Sequence, residues 1–146
     1  MATTLKQLKT ILKNKVSALV NTQGKNIFGA VFSYAKGDFK DYPVAVVANT
    51  GASGEVLDTH RNERTFHFTI DLYQEESQAG RTPEEADQIM TDAVDAVLLA
   101  FDTDRDLSGQ VEVVRVVEAN FDFRVAAGTF NFATLKIDCV VILQNY

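Results

Sequence analysis

The 146-residue sequence predicts an α+β fold, a mainly antiparallel sheet with two helices packed on it in the order α-β-β-β-α-β-β. Three observations carry that expectation. Residues 65–73 alternate without a break, with Phe66, Phe68, Ile70 and Leu72 on one face and Thr65, His67, Thr69, Asp71 and Tyr73 on the other. Period 2 marks a strand that is dry on one side only. Two other segments repeat apolar residues at helical spacing. The remaining apolar runs follow one another mostly through short polar links, which favours hairpins with helices laid on the sheet.

The first helix carries Leu5, Leu8, Leu12, Val16 and Leu19 along one stripe, flanked by Ile11 and Val20, with Lys6, Lys9, Lys13 and Lys15 on the other side. Thr3 or Thr4 can cap it, and residues 21–24 end it, with Gly24 available for a left-handed turn. Residues 27–34 read as a short apolar strand and residues 43–48 as another, Pro43 standing at a permitted strand start. Residues 35–42 link them, and Phe39 and Tyr42 either pack beneath that loop or meet a partner. Residues 49–54 read as a flexible turn into the alternating strand. That strand starts as early as Glu55 if residues 58–63 belong to a long hairpin arm.

Thr82-Pro83-Glu84-Glu85 opens the second helix: threonine as N-cap, proline at the first helical position, Glu85 closing a capping box. Ala86, Ile89, Met90, Ala93, Val94, Val97, Leu98 and Phe101 form its stripe. Residues 111–125 are long for one strand. Val117, Ala119, Phe121, Phe123 and Val125 alternate with polar residues, but Val114 and Val116 break the phase, which predicts a bulge or cover on both faces. Residues 126–129 turn the chain. The last strand sets Ala133, Leu135, Ile137, Cys139, Val141 and Leu143 against Thr134, Lys136 and Asp138. Residues 139–143 are apolar on both faces, so as a sheet edge they need cover from a neighbouring subunit or from the chain's own helices. Everything fits one domain, residues 1–146.

Composition narrows the class. The 46% hydrophobic and 23% charged content is that of an ordinary globular protein. No apolar run approaches the ~18 residues of a membrane span, and residues 1–20 lack the apolar centre of a secretory signal, so a cytoplasmic setting is expected. Cys139 is the sole cysteine, so no intramolecular disulfide can form, and its face-mates mark it as a small buried hydrophobe. The net charge of −6 is uneven. Residues 71–106 carry eleven acids against Arg81 and Arg105, a balance of −9, and the rest of the chain carries +3. Such a chain is a poor ligand for the phosphate backbone, so sequence-specific nucleic acid is not an expected partner. With no apolar span, neither is a membrane, the lysine face of the first helix reading as solvated ahead of membrane-surface or partner docking.

Candidate chemistry fails at each point of strict geometry. Asp102, Asp104 and Asp106 copy the start of a calcium loop, but its sixth position is Leu107 and its twelfth Val113, and no exit helix follows. Three aspartates at a helix C-terminus oppose the macrodipole and favour a compensating partner. His67 and Asp71 share a strand face but stand about 13 Å apart along it. Two histidines and one cysteine do not make a zinc site by spacing. Residues 51–54 lack the lysine ending of a phosphate loop, and no nucleophile elbow is present. No catalytic, cofactor or metal site is therefore expected.

A leading helix, a hairpin, a strand of alternating Phe, Ile and Leu, a single acidic helix over residues 84–101 and closing strands together resemble the tail terminator and tail-completion proteins of long-tailed bacteriophages. The resemblance spans nearly the whole chain and lies in element order, length and pattern. It implies a homo-oligomer, a hexameric ring that caps the tail tube, stops its growth and offers a surface to the head–tail connector proteins. It also implies a place in the virion tail and neck after assembly in the host cytoplasm, and no catalytic residues. The acidic segment would then suit a lumen that repels DNA. Contacts are expected from His60, Arg61 and Arg64 on the arm. The basic strip of Lys6, Lys9 and Lys13 would meet Glu84, Asp87, Asp92 or Asp95 of a neighbour. Alternatives are another neck or connector-completion protein, a small dimeric α+β ligand-binding domain, or an enzyme of ferredoxin-like topology.

Overall fold

Thr4 starts the first element as the sequence predicts. Its hydroxyl accepts the N–H of Gln7 at 3.2 Å while the Gln7 side chain accepts the Thr4 N–H at 2.8 Å, a complete capping box. The computed structural model describes residues 3–34, 43–75, 83–125 and 129–144. Over these the order is α1 (Leu5–Ser17), β1 (Ala30–Phe32), β2 (Val44–Val56), β3 (Arg61–Glu75), α2 (Pro83–Thr103), β4 (Val113–Val125) and β5 (Thr129–Gln144). The strands form one sheet in the order β1-β2-β3-β5-β4, so the chain is α+β. The expected roles of Phe39, Tyr42, Thr82 and the turn at residues 126–128 lie outside the described residues.

Both helices pack on one face of the sheet. Leu8, Leu12 and Val16 of α1, and Met90, Ala93, Val94, Val97 and Phe101 of α2, join Phe68, Ile70, Leu72, Leu135, Ile137 and Cys139 in a single buried core. Each large aliphatic or aromatic side chain so buried contributes about 1.5–3 kcal/mol. α1 lies against β1 and β2, whereas α2 lies against β3, β4 and β5. Thr3 does not cap α1; its hydroxyl donates to the Gln110 carbonyl, fastening the helix start to the turn before β4. Gly24 takes the left-handed turn at φ +77°, and the Asn21 side chain accepts the N–H groups of Gln23 and Lys25 around it.

The first two strands differ from the sequence expectation. β1 is three residues long and pairs parallel with β2, so the sheet is mixed and the link between them is no hairpin. Ile27 and Gly29 donate their N–H groups to Leu19 and Pro43 carbonyls instead of extending the strand, and Phe28 turns into the core. Residues 49–54, expected as a turn, continue β2 to Val56 with a bulge between Asn49 and Gly51. Glycine, serine and asparagine disfavour strands locally, but β3 offers β2 a partner over its full length, and the bulge absorbs the mismatch. The hairpin arm therefore exists, with Glu55 on its first strand and the reversal at residues 57–60.

β4 is one strand with the predicted bulge, between Val116 and Glu118. β5 lies between β3 and β4 as far as Val140, so Cys139 and Val140 are interior to the sheet, whereas residues 141–144 pair with β3 and have no described strand on their other side. Cys139 and Val141 face the helices and join the buried core, with Leu143 packed against it. Cys139 is fully buried, and its thiol is pushed up to about 12, first by burial and then by the neighbouring Asp138 charge.

Candidate functional site

β1 pairs only with Val44, Ala45 and Val46. Residues 47–56 of β2 therefore have β3 on one side and no described strand on the other. At the tip, the Asp58 carboxylate accepts the N–H groups of His60 and Arg61 and the Arg61 Nε–H, each at 2.8 Å. Those bonds hold its carboxyl below the usual range, the His60 N–H first and the Arg61 side chain second. Arg61 thus closes the turn on which it sits. His60 is exposed, and Arg64 lies across the arm, its guanidinium carbon 3.4 Å from where a Gly54 Cβ would stand. Val56 and Leu57 are 74% and 41% exposed beside this polar tip. Sequence reading missed that pair, although two adjacent large apolar residues in a polar run were visible.

Glu55 and Glu63 stand directly opposite each other on the arm. They share the sheet face away from the helices, since Ala52 and Phe66, one step of the alternation off, face the core side. Like charges directly opposed across a strand pair destabilise it. Among the described residues neither has an ion-pair partner.

On the same helix-free face, His67 Nδ1 lies 2.7 Å from Asp138 Oδ1 and His67 Nε2 lies 3.1 Å from Ser53 Oγ. Three strands meet there, β2, β3 and β5. His67 and Asp71 share a face without meeting, as their spacing along the strand predicts; the register puts His67 opposite Asp138, and Asp71 accepts the Thr134 hydroxyl at 2.9 Å. No reading of one strand could find a partner 71 residues away. The connectivity is that of a serine–histidine–carboxylate relay. Ser53 and His67, however, line none of the three clefts described below, and the His67 side chain is 38% exposed to water. Asp138 alone of the three lines one of those clefts, and the chain of bonds cross-links three strands. Lys136 and Glu118 add an ion pair at 3.0 Å nearby, which holds the Glu118 carboxyl low.

The acidic turn after α2 finds the compensating cation its charge called for. Lys15 Nζ is 2.8 Å from Asp104 Oδ2, and Asp104 Oδ1 accepts the Ser108 N–H at 3.0 Å. Both oxygens are occupied, and Leu107, Ser108 and Gly109 follow in left-handed conformation at φ 49°, 58° and 85°. That is a tight helix-to-strand turn, unlike a calcium loop. Beside it, a cleft of about 660 Å³ runs between α1 and the turn, lined by Lys6, Ile11, Lys15, Asp104 and Leu107. A second of about 550 Å³ lies along β4, by Arg105, Arg115, Val117 and Asp138, and a third of about 460 Å³ lies between Val20, Ile27, Ile89 and Asp92. Among the described residues no three His, Cys, Asp or Glu side chains are placed to hold a metal ion.

Glu84, Asp87, Asp92 and Asp95 are exposed on α2, Lys6 is exposed on α1, and Lys9 and Lys13 are half-buried there. Among the described residues no ion pair joins the two strips. At the far edge of the sheet, Val117 and Phe121 of β4 are 59% and 58% exposed. No described helix is long and apolar enough to cross a membrane. No protein-family model matches the chain, and no curated protein matches it.

Proposed function

We propose that this chain is a structural subunit of a long-tailed bacteriophage, a tail terminator that forms a hexameric ring on the end of the tail tube and presents a surface to the head–tail connector proteins. It would act in the tail and neck of the virion. The observation that carries the reading is a sheet left open, among the described residues, at both ends: residues 47–56 of β2 on one side and β4 on the other. Both ends bear exposed apolar side chains, Val56 and Leu57 against Val117 and Phe121. Monomers blunt such edges with charge or proline, whereas a head-to-tail ring consumes them. The element order that resembles tail terminators adds to this, as does the concentration of acid on α2 and its flanks, which suits a passage for DNA. Mass measurement on the purified chain, alone and with tail tubes, tests the reading. Six copies of the 16.1 kDa chain, or rings on tube ends by electron microscopy, are the expected result. A chain that stays monomeric and ignores tube ends overturns it.

A second reading, acyl transfer, has one observation in its favour, the Ser53–His67–Asp138 chain. A fluorophosphonate adduct on Ser53, lost when His67 is replaced, would establish it. The open setting of that serine weighs against it.

A further inference from the structure

We infer that the free edge of β2 receives the β4 edge of a second copy, in a pairing that carries the sheet from one subunit into the next. This rests on the ring reading and names the surfaces that build it.

Strand direction comes first. β2 is antiparallel to β3, β3 to β5, and β5 to β4, so β2 and β5 run one way while β3 and β4 run the other. A second copy in the same orientation, its β4 laid beside residues 47–56 of β2, pairs antiparallel. β1 blocks only Val44, Ala45 and Val46. Helices stay on one side of the extended sheet.

Side chains agree. The open stretch of β2 holds Gly51, Ala52, Ser53 and Gly54, with no proline and a single charge, Glu55. Apart from that charge and the bulge between Asn49 and Gly51, it carries none of the devices that guard natural edges. β4 brings Val117 and Phe121, and an aromatic ring laid over an edge glycine covers the backbone that glycine exposes.

Charge decides between partners. The arm presents Glu55 and Glu63 together on the helix-free face. Arg115 of β4 stands opposite Asp138 on that same face, is exposed, and makes no ion pair among the described residues, the Asp138 carboxylate being held by His67. Each copy therefore has at one end the charge that the other end lacks. On the helix-free face, a two-fold pairing of β2 arms sets these carboxylates against each other, since Arg61 is held by Asp58 and Arg64 stands on the other face. A head-to-tail pairing supplies the cation.

Native mass spectrometry of wild type, of Arg115→Glu, of Glu55→Arg with Glu63→Arg, and of all three changes combined tests the inference, with circular dichroism to verify folding. The two partial variants should need at least tenfold more protein to assemble, and the combined variant should recover. An equimolar mixture of the two partial variants should also assemble, alternating around the ring, because each new interface then joins opposite charges. Unchanged assembly of the partial variants overturns this inference and leaves the ring reading standing. So does assembly as dimers that only the arm changes abolish. Wild type that forms no ring, in solution or on tube ends, sinks both.

Discussion

Lys15 Nζ lies 2.8 Å from Asp104 Oδ2, joining the last turn of α1 to the turn that follows α2. The same ammonium sits 5.8 Å from the centre of the Phe101 ring. The contact ties together two helices that cover different parts of the sheet, and it neutralises one of three aspartates at a helix end where negative charge is unfavourable.

Replacing Lys15 with alanine should cost about 1 kcal/mol, since a partly exposed pair contributes ~0–1 and a partly exposed cation–π contact ~0.5–1. The Lys15 hydrogen bond, and then the Ser108 N–H, lower the Asp104 carboxyl from its ordinary 3.8. A lowered carboxyl stabilises the fold fully above its ordinary value, and that share is lost as pH falls through the folded one. Urea unfolding of both proteins should show their difference shrinking under strongly acidic conditions. A difference that persists unchanged at acid pH refutes the ionic part.

Much of this fold was legible in the sequence, and the parts that were not share a cause. The faces of β3 and β5, both helical stripes, the Thr4 cap and the β4 bulge are local patterns, fixed by the period of the chain and the chemistry of a few residues. The course of residues 49–54 was illegible because a long partner strand overrode weak local preference. The parallel pairing of β1 and the interior place of β5 depend on strand order, which no short window contains. His67 with Asp138 and Lys15 with Asp104 are contacts across 71 and 89 residues. The acidic turn announced that it wanted a cation, but the sequence could not say which lysine.

Cys139 should resist thiol reagents in the native state. It is fully buried, and a thiol pushed up to about 12 holds almost no thiolate near neutral pH. Ellman's reagent should leave it unmodified in buffer and titrate one thiol per chain in guanidinium. Rapid modification without denaturant would show that β5 opens readily, contrary to its place between two long strands.

Gln74 and Asn131 stand opposite each other on β3 and β5, and Gln74 is fully buried. The Gln74 amide nitrogen donates to the Glu75 carbonyl at 3.0 Å, whereas Gln74 Oε1 and Asn131 Nδ2 have no hydrogen-bond partner among the described residues. A buried polar atom left unpaired costs about 1–3 kcal/mol. Gln74→Met keeps the shape and removes the acceptor, so it should raise unfolding stability by about 1 kcal/mol in urea. A loss of that size would mean the side chain carries a bond in solution that outweighs its burial.

Extending the sheet from β2 of one copy to β4 of the next also sets their helices side by side. α1 covers β1 and β2 while α2 covers β3, β4 and β5, so the neighbour's α2 arrives next to α1. Lys6, Lys9 and Lys13 then approach the strip of Glu84, Asp87, Asp92 and Asp95, which no cation pairs with among the described residues. Individual exposed pairs contribute only ~0–1 kcal/mol, so one substitution tests little. Lys9→Glu combined with Lys13→Glu should weaken assembly several-fold at low salt, less at high salt where screening already removes the attraction, and leave circular dichroism unchanged. Assembly that is indifferent to both changes at low salt would separate the two helices and require the strand edges alone to hold the subunits together.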